Sequence, residues 1–196
     1  MAKSVEFYFD IGSSYSYIAY KALPAIAAAH GAQIVWRPML LGGVFKATGN
    51  HSPAEIPAKS KWLNLDLQRW AARYGAAFKR NPHFPINTMT LMRGAVGMQL
   101  RGQDFPKYLE TMFHAMWAEP RNLGDAAELA AVLREARFDA DAFQSLVNDP
   151  AVKEQLKKNT GEAVARGVFG APTFFVGDDM FWGQDRLEFV AEALAK

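Results

Sequence analysis

Residues that favour strands gather at the two ends of this chain and are scarce between them. Val5-Glu6-Phe7-Tyr8-Phe9-Asp10 is rich in aromatic and branched side chains and stops at Gly12-Ser13, which reads as a short buried strand. Tyr15 to His30 carries a helical stripe of Ile18, Ala22, Ile26 and Ala29, with Pro24 placed to kink the helix and Gly31 to end it. Gln33-Ile34-Val35-Trp36-Arg37-Pro38 is a second strand, stopped by its proline. Strand, helix and strand in such short order form a βαβ unit, so the two strands are expected to run parallel. Strand signals return only at Pro172 to Val176 and Met180 to Trp182, which flank the turn residues Gly177-Asp178-Asp179.

The middle of the chain reads differently. Leu41 to Pro57 is loop-rich, with Gly42, Gly43, Gly49, Asn50, Pro53 and Pro57. From Lys59 onward the periodicity is helical. Trp62, Leu65, Leu67 and Trp70 open one helix that Gly75 closes, and further helices are expected over residues 87–101, 105–117, 125–135 and 139–147. A helix over 152–166 precedes the hairpin, and one over 184–196, with Leu187, Val190 and Leu194 on a stripe, closes the chain. The order is βαβ, a helical block, then αββα. The simplest architecture is α/β: a thioredoxin-like fold with a large inserted all-helical domain. Residues 1–41 and 151–196 would form the discontinuous thioredoxin-like domain and 42–150 the insertion. With 196 residues, half of them hydrophobic, the chain can bury one substantial core and a second, smaller one.

Composition excludes several functions. Net charge is +2 and no run of Lys or Arg exceeds two, so the clustered basic face of a nucleic-acid binder is not expected. No stretch approaches the roughly 18 apolar residues that cross a bilayer. Met1-Ala2-Lys3 leads directly into a strand, without an apolar segment and a small-residue cleavage site, which makes the cytosol the expected location. The chain has no Cys, which removes disulfides, thiolate metal sites and any cysteine nucleophile of its own. Asp178-Asp179 is turn chemistry, and no metal site is expected.

Two segments carry chemistry. Asp10-Ile11-Gly12-Ser13-Ser14-Tyr15-Ser16-Tyr17 puts two hydroxyls where a strand meets a helix N-terminus, a place that favours an anion. Serine there is also a preferred helix cap, and one side chain can do both. In Gly167-Val168-Phe169-Gly170-Ala171-Pro172-Thr173-Phe174, a proline that opens a strand after Gly-Ala can be cis, which leaves the backbone of Ala171 free for a strand-like ligand. An ordinary trans proline at a strand start is the alternative.

Together, Phe7-Tyr8-Phe9-Asp10-x-x-Ser13-x-Tyr15-Ser16-Tyr17 and Gly167 to Phe174 resemble the DsbA-like superfamily. Within it they are most similar to the 2-hydroxychromene-2-carboxylate isomerases and the kappa-class glutathione transferases. Asp66-Leu67-Gln68-Arg69-Trp70 with Tyr74-Gly75, Phe84-Pro85-Ile86-Asn87-Thr88, and Phe181 to Leu187 add to the resemblance, which spans the chain. It implies the helical insertion, glutathione as cofactor and commonly a homodimer. By position it makes Ser13 the residue that contacts the glutathione sulfur. Asn50 would approach the tripeptide, Ala171 before Pro172 would pair with its cysteinyl backbone, and Gln184 and Asp185 would hold the γ-glutamyl end. One departure is that this chain has Ser14 where those isomerases usually have proline, which leaves Ser13 and Ser14 as competing partners of the thiol.

The implied reaction converts 2-hydroxychromene-2-carboxylate, a small aromatic carboxylate, to trans-o-hydroxybenzylidenepyruvate in aromatic hydrocarbon catabolism. A kappa-like transferase that consumes glutathione and a non-catalytic glutathione-binding or chaperone-like module are the alternatives. A free thiol titrates near 8.5, and a hydroxyl donating to sulfur beside a helix N-terminus lowers that value. Serine itself is a poor nucleophile here because its turn has no adjacent histidine. Lys59 or Lys61 is the expected basic group for the substrate carboxylate. Asn87 is placed either to reach the substrate or to cap the next helix. Trp62, Trp70, Phe113 and Trp117 read as core, and His51 as a neighbour of Asn50 without a named partner.

Overall fold

A computed structural model describes residues 3–196. Strand β1 (Ser4–Phe9), helix α1 (Ser14–Ala29) and strand β2 (Gln33–Pro38) form the expected βαβ unit, with β1 and β2 parallel. Helices α2 (Leu41–Thr48), α3 (Pro57–Arg73), α4 (Met89–Leu100), α5 (Phe105–Phe113), α6 (Ala126–Glu135), α7 (Ala140–Asn148) and α8 (Pro150–Ala165) follow. Strands β3 (Thr173–Val176) and β4 (Asp179–Trp182) and helix α9 (Leu187–Ala195) complete the chain. The sheet order is β2-β1-β3-β4; β3 is antiparallel to both β1 and β4. This is the thioredoxin-like arrangement.

The sheet is covered on both faces because β1 alternates two kinds of contact. Val5, Phe7 and Phe9 join Phe174 and the helices in the main core, where the Phe7 and Phe174 rings stack at 5.1 Å. Tyr8 and Phe175 point to the other face, against Met39, Val44, Ala163 and Val168. That second, smaller core is closed by α2 and α8.

Three local expectations need correction. Residues 41–48, read as loop, form α2. Its glycines mark close packing, since a Cβ on Gly43 would lie 3.1 Å from the Thr160 methyl on α8. The helix expected over 105–117 changes at His114 into a π-helical turn, His114–Ala118. Wide turns of that kind recur at functional sites. The β3–β4 turn is tighter than the sequence implied, with Asp179 already in β4 opposite Val176.

Candidate functional site

The turn between β1 and α1 is built on a buried carboxylate. Asp10, 1 % exposed, accepts hydrogen bonds from the backbone N–H of Gly12 (2.8 Å) and Leu41 (2.8 Å) and from the Thr88 hydroxyl (3.0 Å). It thereby joins β1 to the starts of α2 and α4. Burial pushes its carboxyl up from the usual range, and the three donors only partly offset that. Gly12 allows the close approach: a Cβ there would fall 2.5 Å from the Thr88 methyl.

This turn delivers Ser13 to the head of α1. Its backbone is extended, and its Oγ accepts from the Ser16 N–H (3.1 Å) as a helix cap. The same hydroxyl donates to the carbonyl of Ala171, 3.1 Å away, and the side chain is nearly buried. The Ala171–Pro172 peptide is cis, as is Phe84–Pro85. The two segments singled out in the sequence thus meet through one hydrogen bond.

They meet at one side of a cleft of about 380 Å³. Ser13, Ser14, Asn50, Ala171, Pro172, Gln184 and Asp185 all line it. Asn50 donates from Nδ2 to the Phe169 carbonyl (2.9 Å), which ties the loop after α2 to the one before Pro172. The Gly183 N–H donates to the Pro172 carbonyl (3.0 Å) and holds Gln184 and Asp185 beside the same turn. Asp185 pairs with Arg186 (Nη1–Oδ2 2.8 Å).

The helical wall differs from expectation. Lys59 and Lys61 are exposed on α3 and do not line the cleft. The Asn87 Oδ1 accepts from the Met89 N–H (2.9 Å) at the start of α4, so this side chain caps a helix and does not reach the cleft. Trp62, expected in the core, is 54 % exposed at the cleft rim, whereas Trp117 is buried and lines the interior. His51 also lines the cleft, with Glu55 3.9 Å away.

Four further residues had no reading of their own in the sequence. The Tyr15 hydroxyl donates to Asp66 Oδ2 (2.9 Å), linking α1 to α3. Burial, reinforced by the Asp66 carboxylate, raises the Tyr15 phenol and keeps it protonated. Asn64 lines the same cleft, and its Oδ1 is buried with no hydrogen-bond partner among the described residues. Arg80 lies on the same wall, with its Nη2 donating to Ser60 Oγ (3.2 Å).

A family model described as a DSBA-like thioredoxin domain matches residues 4–195. The chain belongs to the DsbA-like thioredoxin family. Among its DsbA-like relatives, it is 35% identical over 197 residues to the 2-hydroxychromene-2-carboxylate isomerase of Sphingobium xenophagum, covering 99% of each chain. It is 30% identical to glutathione S-transferase kappa 2 of Caenorhabditis elegans, covering 99% of this chain and 92% of that one. A solved structure of a 2-hydroxychromene-2-carboxylate isomerase superposes with a TM-score of 0.86 at 32% identity, over 97% of this chain and 94% of the other. These full-length likenesses group this DsbA-like chain with enzymes of the isomerase type.

Proposed function

We propose that the protein is a glutathione-dependent cis–trans isomerase that converts 2-hydroxychromene-2-carboxylate to trans-o-hydroxybenzylidenepyruvate. The observation that carries this reading is the Ser13 hydroxyl, held at the N-terminus of α1 and turned to the cleft beside Ala171. The donor set fits the tripeptide. Ser13 and the first turn of α1 favour a sulfur anion, the Ala171 backbone offers strand-like pairing, and Asn50, Gln184 and Asp185 supply polar contacts along the same wall.

When bound, glutathione would supply a thiolate nucleophile for reversible addition to a conjugated carbon. Ser13 would turn its hydroxyl from the Ala171 carbonyl to the sulfur and so favour the ionised form. Release of that carbonyl lets it accept from a ligand N–H. Tyr15, kept protonated by burial and by Asp66, donates its one O–H to that carboxylate and so ties α1 to α3 at the cleft. Phe45, Phe78, Phe84 and Trp117 line a largely apolar space suited to an aromatic substrate and to the exclusion of water.

Ser13→Ala is expected to raise the pKa of the bound thiol by about one unit, the scale of one hydrogen bond lost from a charged group. Removing the donor disfavours the anion, so the acid limb of the rate profile moves to higher pH. Ultraviolet titration of the thiolate in the complex checks this, and an unchanged titration would sink the role of Ser13. The likeness to kappa transferases favours one second reading, conjugation that consumes glutathione. A stoichiometric assay decides: an isomerase leaves the glutathione concentration constant over many turnovers.

A further inference from the structure

Two arginines line the cleft, and they differ in what holds them. Arg186 is neutralised by Asp185 at 2.8 Å. Arg80 has no carboxylate partner among the described residues; its one anchor is the neutral Ser60 hydroxyl. Arg80 is exposed to the cleft that Phe78, Phe84, Trp62 and Trp117 also line, so a carboxylate entering there meets a cation that no acidic side chain neutralises. A planar guanidinium also matches a carboxylate with two parallel bonds, which an ammonium cannot do.

The backbone around Arg80 is fixed on both sides. The Lys79 N–H donates to the Trp117 carbonyl (2.7 Å). Asn81, fully buried, donates from Nδ2 to the carbonyls of Met116 and Arg121 (3.0 Å each), and its Oδ1 accepts from the His83 N–H (2.9 Å). Trp117 makes one more contact: its indole N–H donates to the Ile11 carbonyl (2.8 Å), two residues before Ser13. The main chain of Trp117 therefore fastens the loop of Arg80, and its side chain fastens the turn of Ser13.

We propose that Arg80 binds the carboxylate of the aromatic substrate, and that Trp117 is the positioning residue that sets the distance between that carboxylate and the sulfur held at Ser13. The inference rests on the isomerase reading of the cleft. It assigns to Arg80 the task that the sequence alone gave to Lys59 or Lys61.

Calorimetry on glutathione-loaded protein tests the anchor without turnover, using cinnamate as the charged aromatic probe and cinnamamide as its neutral counterpart. Wild type is expected to prefer cinnamate by about tenfold or more, Arg80→Gln to bind both alike, and Arg80→Lys to fall between. In turnover at saturating glutathione, Arg80→Gln is expected to raise KM for the carboxylate substrate about tenfold with a smaller effect on kcat. Trp117→Phe, which keeps an aromatic side chain on the wall and removes the indole N–H, is expected to lower kcat by a larger factor than it weakens cinnamate binding. Equal cinnamate affinity in wild type and Arg80→Gln overturns the anchor, as does failure of the loaded wild type to bind cinnamate. A loss of glutathione affinity in Arg80→Gln with cinnamate affinity intact also overturns it, since the arginine would then serve the tripeptide. A Trp117→Phe protein with unchanged kcat removes the positioning role. Arg80-dependent cinnamate binding in a protein that does not isomerise supports the anchor and removes the isomerase reading instead.

Discussion

Asp10 is the side chain on which the site turn depends. A carboxylate can accept on both oxygens, and here Gly12, Leu41 and Thr88 use both. Asp10→Asn replaces one acceptor with an NH2 group that would face a donor. It is expected to cost about 1–3 kcal/mol, the penalty of an unsatisfied buried group, read as a lower urea midpoint. Gly12→Ala drives its methyl into Thr88, 2.5 Å away, and is expected to cost about 1–3 kcal/mol for overpacking. Adding Thr88→Ser removes the opposing methyl but keeps the hydroxyl on Asp10, so the double variant should recover much of the loss in the same denaturation. At this scale the sequence was informative where function lies in a short contiguous run. Ser13 and Ala171 each sit in such a run, and the structure joins them. Arg80 was not legible, because what brings it to the cleft is a set of hooks from Lys79 and Asn81 onto a turn more than thirty residues away.

Among the elements, the strands and most helices could be read because their own residues specify them. Aromatic and branched residues mark β1, β2 and β3, and Asp125, Asp139 and Asp149 cap the helices they precede. Helix α2 could not be read that way. Leu40 offers it no capping side chain; instead the N–H groups of Leu40 and Leu41 donate to Thr160 and Asp10, residues distant in the chain. With its cap borrowed and two glycines in its first turn, α2 exists through tertiary contact. A second tie between elements gives a pH dependence. Glu6 on β1 bonds Arg37 on β2 (2.7 Å) and Arg166 after α8 (2.8 Å). Partial burial pushes its carboxyl up, but the two arginines outweigh that and hold it below its ordinary 4.5. A depressed folded-state value means this contribution is present above the unfolded-state pKa and is lost as pH falls through the folded one. Urea denaturation across acid pH should show Glu6→Gln with a shallower fall in stability on the acid side than wild type.

Over the whole molecule, the cleft lies where the sheet-bearing part meets the helices between β2 and β3, so a ligand there touches both. Glutathione at a hundred times its dissociation constant is expected to stabilise the fold by about 2.7 kcal/mol. The melting temperature should therefore climb with glutathione concentration, and a flat response at millimolar tripeptide would undercut the proposed cofactor. The contact between Ser13 and Ala171 spans 158 positions of sequence, and β1 gains its β3 partner only through residues 173–175. On a translating ribosome, the serine emerges well before the carbonyl it bonds and waits for that carbonyl with nothing across from it. A nascent polypeptide halted before residue 171 can have its first strands and many of its helices, yet it has no far wall against which to seat a ligand. The segment that begins at residue 171 is the one that completes the cleft.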